Sequence, residues 1–172
     1  MSCEINYRLN ELFNNKRFNY AVLLIGLPLS GKDTFLSQLE IVELNIISRD
    51  SIILEQAKSL DYNEAYRNTP SKLVDKLFYK QIREAAENKE NAFINITHLT
   101  KKKRARTIQY FIKTHKIIGI QFPLIDLEEF RKRNQQRFML DSKFIYEKVF
   151  LELNNLFEEP SLDEGYDFLF QV

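Results

Sequence analysis

The sequence has few of the features that would indicate a secreted or membrane-bound protein. It contains a single cysteine, Cys3, so no disulfide can form within the chain, which is typical of a reducing compartment. It has no long uncharged apolar run that could cross a bilayer. Residues 1–8 lack the apolar core of a signal peptide. We therefore expect a cytoplasmic protein with no membrane partner.

An excess of charge of one sign and low-complexity segments are also lacking. The 25 Lys and Arg residues nearly balance the 24 Asp and Glu residues, so any attraction to nucleic acid must come from a local cluster. No repeat or Pro/Gly/Ser-rich linker divides the 172 residues. Because 44% of the residues are hydrophobic, they can supply the core of one domain, predicted to cover residues 1–172.

Short apolar runs, rich in Ile, Val and Phe, alternate with helical stretches along the chain. The runs are nearly continuous, which is typical of strands that are covered on both faces. Alternation of strand and helix implies parallel βαβ units. The sequence therefore predicts an α/β fold with a parallel five-stranded sheet and helices on both faces. The predicted strands are Tyr20–Ile25, Asn45–Ser48, Ala92–Ile96, Ile117–Phe122 and Phe168–Val172. The predicted helices are Lys32–Leu39, Ser51–Leu60, Ser71–Asn88, Lys101–Thr114, Leu127–Arg137 and Ser142–Phe157, after a helical extension over residues 1–19.

Glycine is rare, yet two of the four glycines fall in one segment, Gly26–Thr34, directly after the first predicted strand. The segment matches the phosphate-binding loop G-x-x-x-x-G-K-[ST], except that Asp33 stands at the Ser/Thr position. In such a loop, backbone N–H groups and the next helix N-terminus face phosphate oxygens, and Lys32 would reach the outer phosphates. We predict that the loop binds ATP. The residues predicted to contact ATP are Gly26, Leu27, Pro28, Leu29, Ser30, Gly31, Lys32, Asp33 and Thr34.

The second predicted strand is followed by Asp50. Ligands of parallel sheets bind beyond the carboxyl ends of the strands, where a carboxylate can accept the proton of a hydroxyl that attacks the γ-phosphate. Alternatively, Asp50 caps the helix that begins at Ser51, because Asp is a favoured N-cap residue. Its place at a strand end favours the catalytic interpretation.

The end of the third predicted strand lacks the magnesium-binding aspartate that many enzymes with this loop carry. Asn95 and Ile96 stand there instead. Our hypothesis is that the additional carboxylate at Asp33 is the counterpart of this loss, and we expect Asp33 and Asp50 to hold Mg²⁺.

Three further groups are candidates for contact with anionic ligands. Lys101–Arg106 would begin a helix, where positive charge opposes the helix dipole, so the cluster is either a nucleic-acid contact or a solvated face. Arg133 and Arg137 share a helical face and either neutralise the transferred phosphoryl group or are ordinary exposed residues. His98 is a substrate contact or a solvated loop histidine.

In their order along the chain, these motifs resemble the P-loop kinase domain of polynucleotide 5′-hydroxyl kinases. Gly26–Thr34 resembles the family's G-x-P-x-x-G-K-S-T loop, and Ser48–Asp50 resembles its N-R-D, whose Asp is the general base. Ile94–Arg106 resembles its I-D-N-T-N segment with a basic helix behind it. Arg133–Arg137 lies where the family has its lid arginines. Phe157–Tyr166 resembles F-E-x-P-x-x-x-E-G-F, a segment that lies near the adenine.

The resemblance implies a kinase that uses ATP and Mg²⁺ to phosphorylate a 5′-hydroxyl end of RNA or DNA, with a lid over residues 131–145. It implies catalytic roles for Asp50, Lys32, Arg137 and Arg133, nucleotide contact at Pro160, and substrate contacts at Arg49, Thr97, His98, Lys101 and Arg104.

The chain departs from the family at several positions. Besides Asp33 and Asn95, His98 replaces an Asn, and Ile53 stands where the family often has an Arg that handles the acceptor phosphate. Two alternatives therefore stay open. One is a small-metabolite kinase for a nucleoside, sugar or antibiotic, and the other is a nucleotide-binding module without catalysis.

Overall fold

The centre of the molecule is a five-stranded, all-parallel sheet with the strand order β2-β3-β1-β4-β5. The fold class predicted from the sequence is confirmed. The computed structural model describes residues 2–41, 44–57 and 62–172. The strands are β1 (Tyr20–Ile25), β2 (Ile46–Ser48), β3 (Ala92–Asn95), β4 (Lys116–Gln121) and β5 (Phe168–Gln171). The helices are α1 (Ser2–Asn14), α2 (Lys32–Ser37), α3 (Arg49–Ala57), α4 (Tyr62–Asn68), α5 (Ser71–Glu87), α6 (Lys101–Phe111), α7 (Leu127–Asp141) and α8 (Glu147–Asn155), with a 3₁₀ turn at Leu162–Glu164.

Several elements differ from the sequence prediction at their ends. The helix predicted over Ser51–Leu60 begins two residues earlier, at Arg49, and residues 58–60 of that prediction lie outside the described residues. Helix α7 continues to Asp141, a turn beyond its predicted end. Helix α4 was not predicted, because its seven residues, YNEAYRN, are too few and too polar to show an apolar period.

Strand β1 lies between β3 and β4, and all six of its residues are buried. Helices on both faces bury it: residues of α3, α5 and α6 form one apolar core, and residues of α1 and α2 form the other. Ile5 and Leu9 of α1 are buried in the second core, so this N-terminal helix covers the sheet. Among the described residues, none of the helices combines the length and apolar character needed to cross a membrane.

The parallel strands point their carboxyl ends to one edge of the sheet. The loops after β1, β2 and β3 therefore meet there, because neighbouring parallel strands end side by side. A third apolar cluster, which includes Leu27, Leu99, Phe130 and Phe150, packs α7 and α8 beside the loop that follows β1. This edge carries the candidate site.

Candidate active site

The loop after β1 turns tightly into α2. Gly31 has a φ of 102°, a conformation that favours glycine, and Leu29 is also left-handed, with a φ of 64°. A Cβ on Gly26 would lie 2.7 Å from the Ser30 Oγ and 2.9 Å from the Phe122 Cβ. A side chain at either glycine would thus strain or crowd the backbone. This is expected of a loop that wraps closely around phosphate oxygens.

Lys32, the first residue of α2, lies buried against this loop. Its Nζ donates to the carbonyl oxygens of Gly26, at 3.0 Å, and Leu27, at 2.5 Å. Burial lowers the pKa of the Lys32 amine to about 8, while the carboxylates of Asp33 and Asp50 act in the opposite direction. A buried cation beside a loop of backbone N–H groups forms a site that a polyphosphate can neutralise.

Asp50 lies in the first turn of α3, at the end of β2. It is not the N-cap residue: the Ser48 Oγ accepts from the Ser51 N–H at 3.1 Å and caps the helix. The Asp50 Oδ1 instead accepts from the Tyr62 hydroxyl at 2.8 Å. Burial and the Asp50 carboxylate raise the pKa of Tyr62, so the phenol stays protonated and donates. The capping interpretation is therefore wrong, and Asp50 is a carboxylate at the site edge that the Tyr62 hydroxyl orients.

Asp33 and Asn95 meet across the site edge. The Asn95 Nδ2 donates to the Asp33 Oδ1 at 2.7 Å, although the two residues are 62 positions apart in sequence. The structure thus places the additional carboxylate of the loop against the strand position from which the usual acid is missing. Asp33 is exposed, so its carboxylate can reach a ligand bound at the loop.

The lid region, residues 131–145, is joined to the site at two points. Arg133 donates to the Leu29 carbonyl at 2.9 Å and to Glu129 at 2.6 Å, so it holds the phosphate-binding loop. Arg137 is mostly covered, with 22% of its side chain exposed, and its charge acts on both Lys32 and Tyr62. Of the two predicted lid arginines, Arg133 anchors the loop, whereas Arg137 pairs with Asp141 at 3.6 Å and its charge acts on Lys32.

The far end of the lid region contacts α4. The Asn63 Nδ2 donates to the Ser142 carbonyl at 2.5 Å. The Lys143 ammonium lies 4.4 Å from the centroid of the Tyr62 ring. Tyr62 therefore touches both the candidate base and the lid region, a link that no sequence signal indicated.

The prediction that His98 contacts the substrate is wrong, because its side chain is fully buried. Nδ1 lies 3.0 Å from the Leu24 carbonyl, and Nε2 lies 3.1 Å from the Thr107 Oγ1. Since a carbonyl can only accept, Nδ1 carries the proton and Nε2 accepts from the threonine. Burial lowers the pKa of His98 to about 3. His98 thus stays neutral and joins β1 to α6.

The neutral state of His98 predicts a pH dependence of stability. The unfolded chain takes up a proton below a pH of 6.5, whereas the folded chain does so near 3. The contribution of neutral His98 to stability is therefore fully present above pH 6.5 and is lost as the pH falls towards about 3. Between about pH 7 and pH 5, we expect the wild type to lose about 2 kcal/mol more unfolding free energy than His98→Gln. Urea denaturation at both pH values measures the difference, and equal losses would contradict a neutral His98.

The prediction that Arg104 contacts the substrate is also wrong. Its guanidinium is fully buried and pairs with Glu164 through two bonds, at 2.6 and 2.8 Å. It also donates to the carbonyl oxygens of His98, Glu158 and Glu159. Arg104 therefore fixes the segment over residues 157–165, whose Pro160 is buried. A carboxylate partner 60 residues away gave no signal in the sequence.

The remaining predicted substrate residues lie at the same edge of the sheet. Arg49 pairs with Asp75 of α5. The Thr97 carbonyl accepts from the Gly26 N–H at 3.0 Å and so fixes the start of the phosphate-binding loop. Lys101 is exposed at the start of α6, where its N–H donates to Glu158. Their contact with substrate stays a prediction.

Comparison with known proteins assigns the chain to a family. A family model described as an AAA domain matches residues 22–160, which is most of the chain, so the chain belongs to that family. A comparison with curated protein sequences gives no significant match. The predicted P-loop kinase domain is confirmed by the family match and by the fold of solved structures.

Three solved structures show the range of this fold. A chain of the Pnkp1/Rnl/Hen1 RNA repair complex matches with a TM-score of 0.63 and 22% identity, covering 81% of this chain and 44% of that one. The present chain thus spans less than half the length of that protein. Kti12 from Chaetomium thermophilum, solved with ADP-AlF3, matches at 0.59 with 16% identity and 88% of both chains covered. A gluconokinase from Sinorhizobium meliloti matches at 0.56 with 12% identity, covering 91% of this chain and 83% of that one.

Proposed function

We propose that this member of the AAA domain family is an ATP-dependent kinase that phosphorylates a 5′-hydroxyl end of nucleic acid. The observation that carries the proposal is the placement of Asp50. It lies beside the phosphate-binding loop. The Ser48 side chain, not Asp50, caps helix α3, and the Tyr62 hydroxyl orients the Asp50 carboxylate through a hydrogen bond. A carboxylate so placed fits the role of general base for an attacking hydroxyl.

The proposed reaction uses the side chains in sequence. The loop N–H groups and Lys32 hold the β- and γ-phosphates of ATP. Asp50 takes the proton of the acceptor hydroxyl while the oxygen of that hydroxyl forms a bond to the γ-phosphorus. The bond between the γ-phosphorus and the β–γ bridging oxygen breaks, and ADP is released. Arg137 neutralises charge on the equatorial oxygens. Catalysis is then positioning and electrostatic stabilisation.

The donor set around the loop fits Mg²⁺ held largely by the nucleotide. Within the described residues, no group of three or more His, Cys, Asp or Glu side chains is placed to hold a metal. Mg²⁺ in phosphate-transfer sites is usually bound by one or two carboxylates together with substrate phosphates. Asp33, with Asp50, would supply those carboxylates, and the ion would supply charge neutralisation on the phosphates.

Asp33 and Asn95 then form an exchanged pair, with the carboxylate on the loop and the neutral side chain on the strand. We expect Asp33→Ser to lower the affinity of the ATP-bound protein for Mg²⁺ about 10- to 100-fold, because the loop carboxylate is lost. Adding Asn95→Asp to that variant returns a carboxylate to the strand and should recover most of the loss. Isothermal titration calorimetry of ATP binding to each variant, repeated at several Mg²⁺ concentrations, measures this affinity without relying on turnover. A double variant as weak as Asp33→Ser would contradict the exchange.

A small-metabolite kinase is the second candidate. A gluconokinase is among the solved structures of this fold, and Ile53 stands where the polynucleotide kinases that the chain resembles often have the arginine for the acceptor phosphate. The salt dependence of acceptor binding distinguishes the two functions. A nucleic-acid acceptor that contacts several phosphates loses affinity steeply as salt rises, whereas a neutral metabolite does not.

The test of the proposed function is transfer of labelled γ-phosphate from ATP to 5′-hydroxyl RNA and DNA oligonucleotides. Transfer that is abolished by both Lys32→Ala and Asp50→Asn would support the proposal. ATP binding without transfer to any oligonucleotide would overturn it. A screen of nucleosides, sugars and antibiotics for ATP consumption would then distinguish a metabolite kinase from a nucleotide-binding module.

A further inference from the structure

The positive charge of the chain is concentrated on two neighbouring helices. Residues 71–113 contain eleven Lys and Arg residues against four Asp and Glu residues, although the whole chain is almost balanced at 25 against 24. Ten of these eleven cations are exposed, the exception being the buried Arg104. Helices α5 and α6 contact each other and cover the same face of the sheet. The near-zero net charge therefore conceals a strongly basic surface.

The basic side chains lie towards the candidate site. Helix α6 follows β3 and α5 precedes it, so both helices have their N-terminal ends at the carboxyl edge of the sheet. Residues 71–83 and 101–110, which we call the α5–α6 face, carry eight exposed cations and one acidic residue, Asp75. The other three acidic residues lie at or beyond the far end of α5, between residues 84 and 90.

Aromatic rings lie among these cations. The Arg106 guanidinium is 3.9 Å from the centroid of the Tyr79 ring, in a cation–π contact between α6 and α5. Tyr110 stacks on Tyr79 at 5.9 Å, with 29° between the rings. The rings therefore hold Arg106 as a flat exposed surface, and nucleic-acid bases stack on guanidinium planes and aromatic side chains of this kind.

The α5–α6 face continues into the acceptor side of the candidate site. Arg49, the neighbour of Asp50, pairs with Asp75, which lies one helical turn before Tyr79. Burial raises the pKa of the Tyr79 phenol, and the charges of both Arg106 and Arg49 oppose that rise, so both cations act on Tyr79. A chain whose 5′ end reached Asp50 would therefore meet the face directly behind its first nucleotide.

We propose that the α5–α6 face binds a single-stranded nucleic acid behind its 5′ end. The exposed lysines contact the backbone phosphates, and one base stacks on Arg106, which is supported by Tyr79. The inference rests on the proposed function, because it assigns the polymer behind the acceptor hydroxyl to a particular surface. Basic grooves with stacking platforms bind single strands with little sequence preference, so RNA and DNA are expected to bind alike.

Fluorescence anisotropy of a labelled single-stranded 5′-hydroxyl 20-mer, without ATP, tests the surface. The variant is Lys102→Ala/Arg106→Ala. Its control, Arg8→Ala/Lys148→Ala, removes the same charge from exposed residues on α1 and α8. We expect the first variant to lower the slope of log affinity against log salt by about 0.7, because Lys102 no longer contacts a phosphate of the single strand, and to weaken binding further because Arg106 no longer stacks on a base. The control should leave the slope unchanged.

A second variant separates stacking from charge. Arg106→Lys keeps the cation but removes the flat guanidinium. We expect it to keep the salt slope and to weaken binding about fivefold or more, the loss expected for one stacked base. Replacing the bases of the 20-mer by abasic positions should remove the difference between Arg106→Lys and wild type.

The outcomes separate this surface from the proposed function. Phosphate transfer to the 20-mer together with equal binding by the Lys102→Ala/Arg106→Ala variant and its control would overturn the surface alone. Binding that depends on the face, with no transfer, would support the surface and overturn the kinase assignment. Absence of both transfer and binding would overturn both.

Discussion

Replacing Asp50 with asparagine is expected to lower kcat for phosphate transfer by about 10²–10⁴ while leaving the affinity for ATP without Mg²⁺ nearly unchanged. The amide cannot accept the acceptor proton, but it keeps the shape of the carboxylate at the start of α3. The Ser48 side chain still caps the helix, so the fold should be preserved. Single-turnover transfer from labelled ATP measures the chemical step, and equilibrium binding of ATP measures affinity separately.

Two controls sharpen this experiment. Tyr62→Phe removes the hydrogen bond that orients Asp50 and keeps the ring beside Lys143, so kcat should fall by less than in Asp50→Asn. Asp75→Asn removes a carboxylate of α5 that pairs with Arg49 and takes no part in the proposed chemistry. A nearly silent Asp50→Asn would show that the mechanism is wrong, whatever the controls do.

Replacing Arg104 with methionine is expected to lower the free energy of unfolding by about 3–5 kcal/mol. The change leaves the Glu164 carboxylate, only 8% exposed, without its cation, and it leaves the carbonyl oxygens of Glu158 and Glu159 without their donor. Uncompensated buried charge is among the most destabilising consequences of a substitution. Urea denaturation followed by circular dichroism measures the loss.

The matched variant is Lys103→Met, which removes a neighbouring cation that is exposed on α6. An exposed substitution of this kind is expected to change stability by about 0.5 kcal/mol or less. The double variant Arg104→Met/Glu164→Gln removes both charges and should recover part of the loss. If Arg104→Met were as mild as Lys103→Met, the ion pair would not be what holds residues 157–165 in place.

Arg104 and Lys101 show why the roles of the residues in the basic cluster could be predicted only in part from the sequence. Both residues belong to one charged run, and a run of cations predicts a surface. The structure buries one member against Glu164 and exposes the other. Which residue of a run turns inward depends on a partner distant in sequence, so the same pattern fits a substrate contact and a structural ion pair. His98 was misassigned for the same reason.

Three features could be predicted from the sequence alone: the sheet, the phosphate-binding loop and the position of Asp50 at a strand end. These features follow from short-range causes: continuous apolar runs, a glycine that must adopt a φ of 102°, and strand–helix alternation. Tertiary structure alone decided the contacts of Asp33 with Asn95, of Asp50 with Tyr62 and of Arg104 with Glu164. Polar side chains are placed by desolvation and by hydrogen-bond partners, and those partners are brought together only when the chain folds.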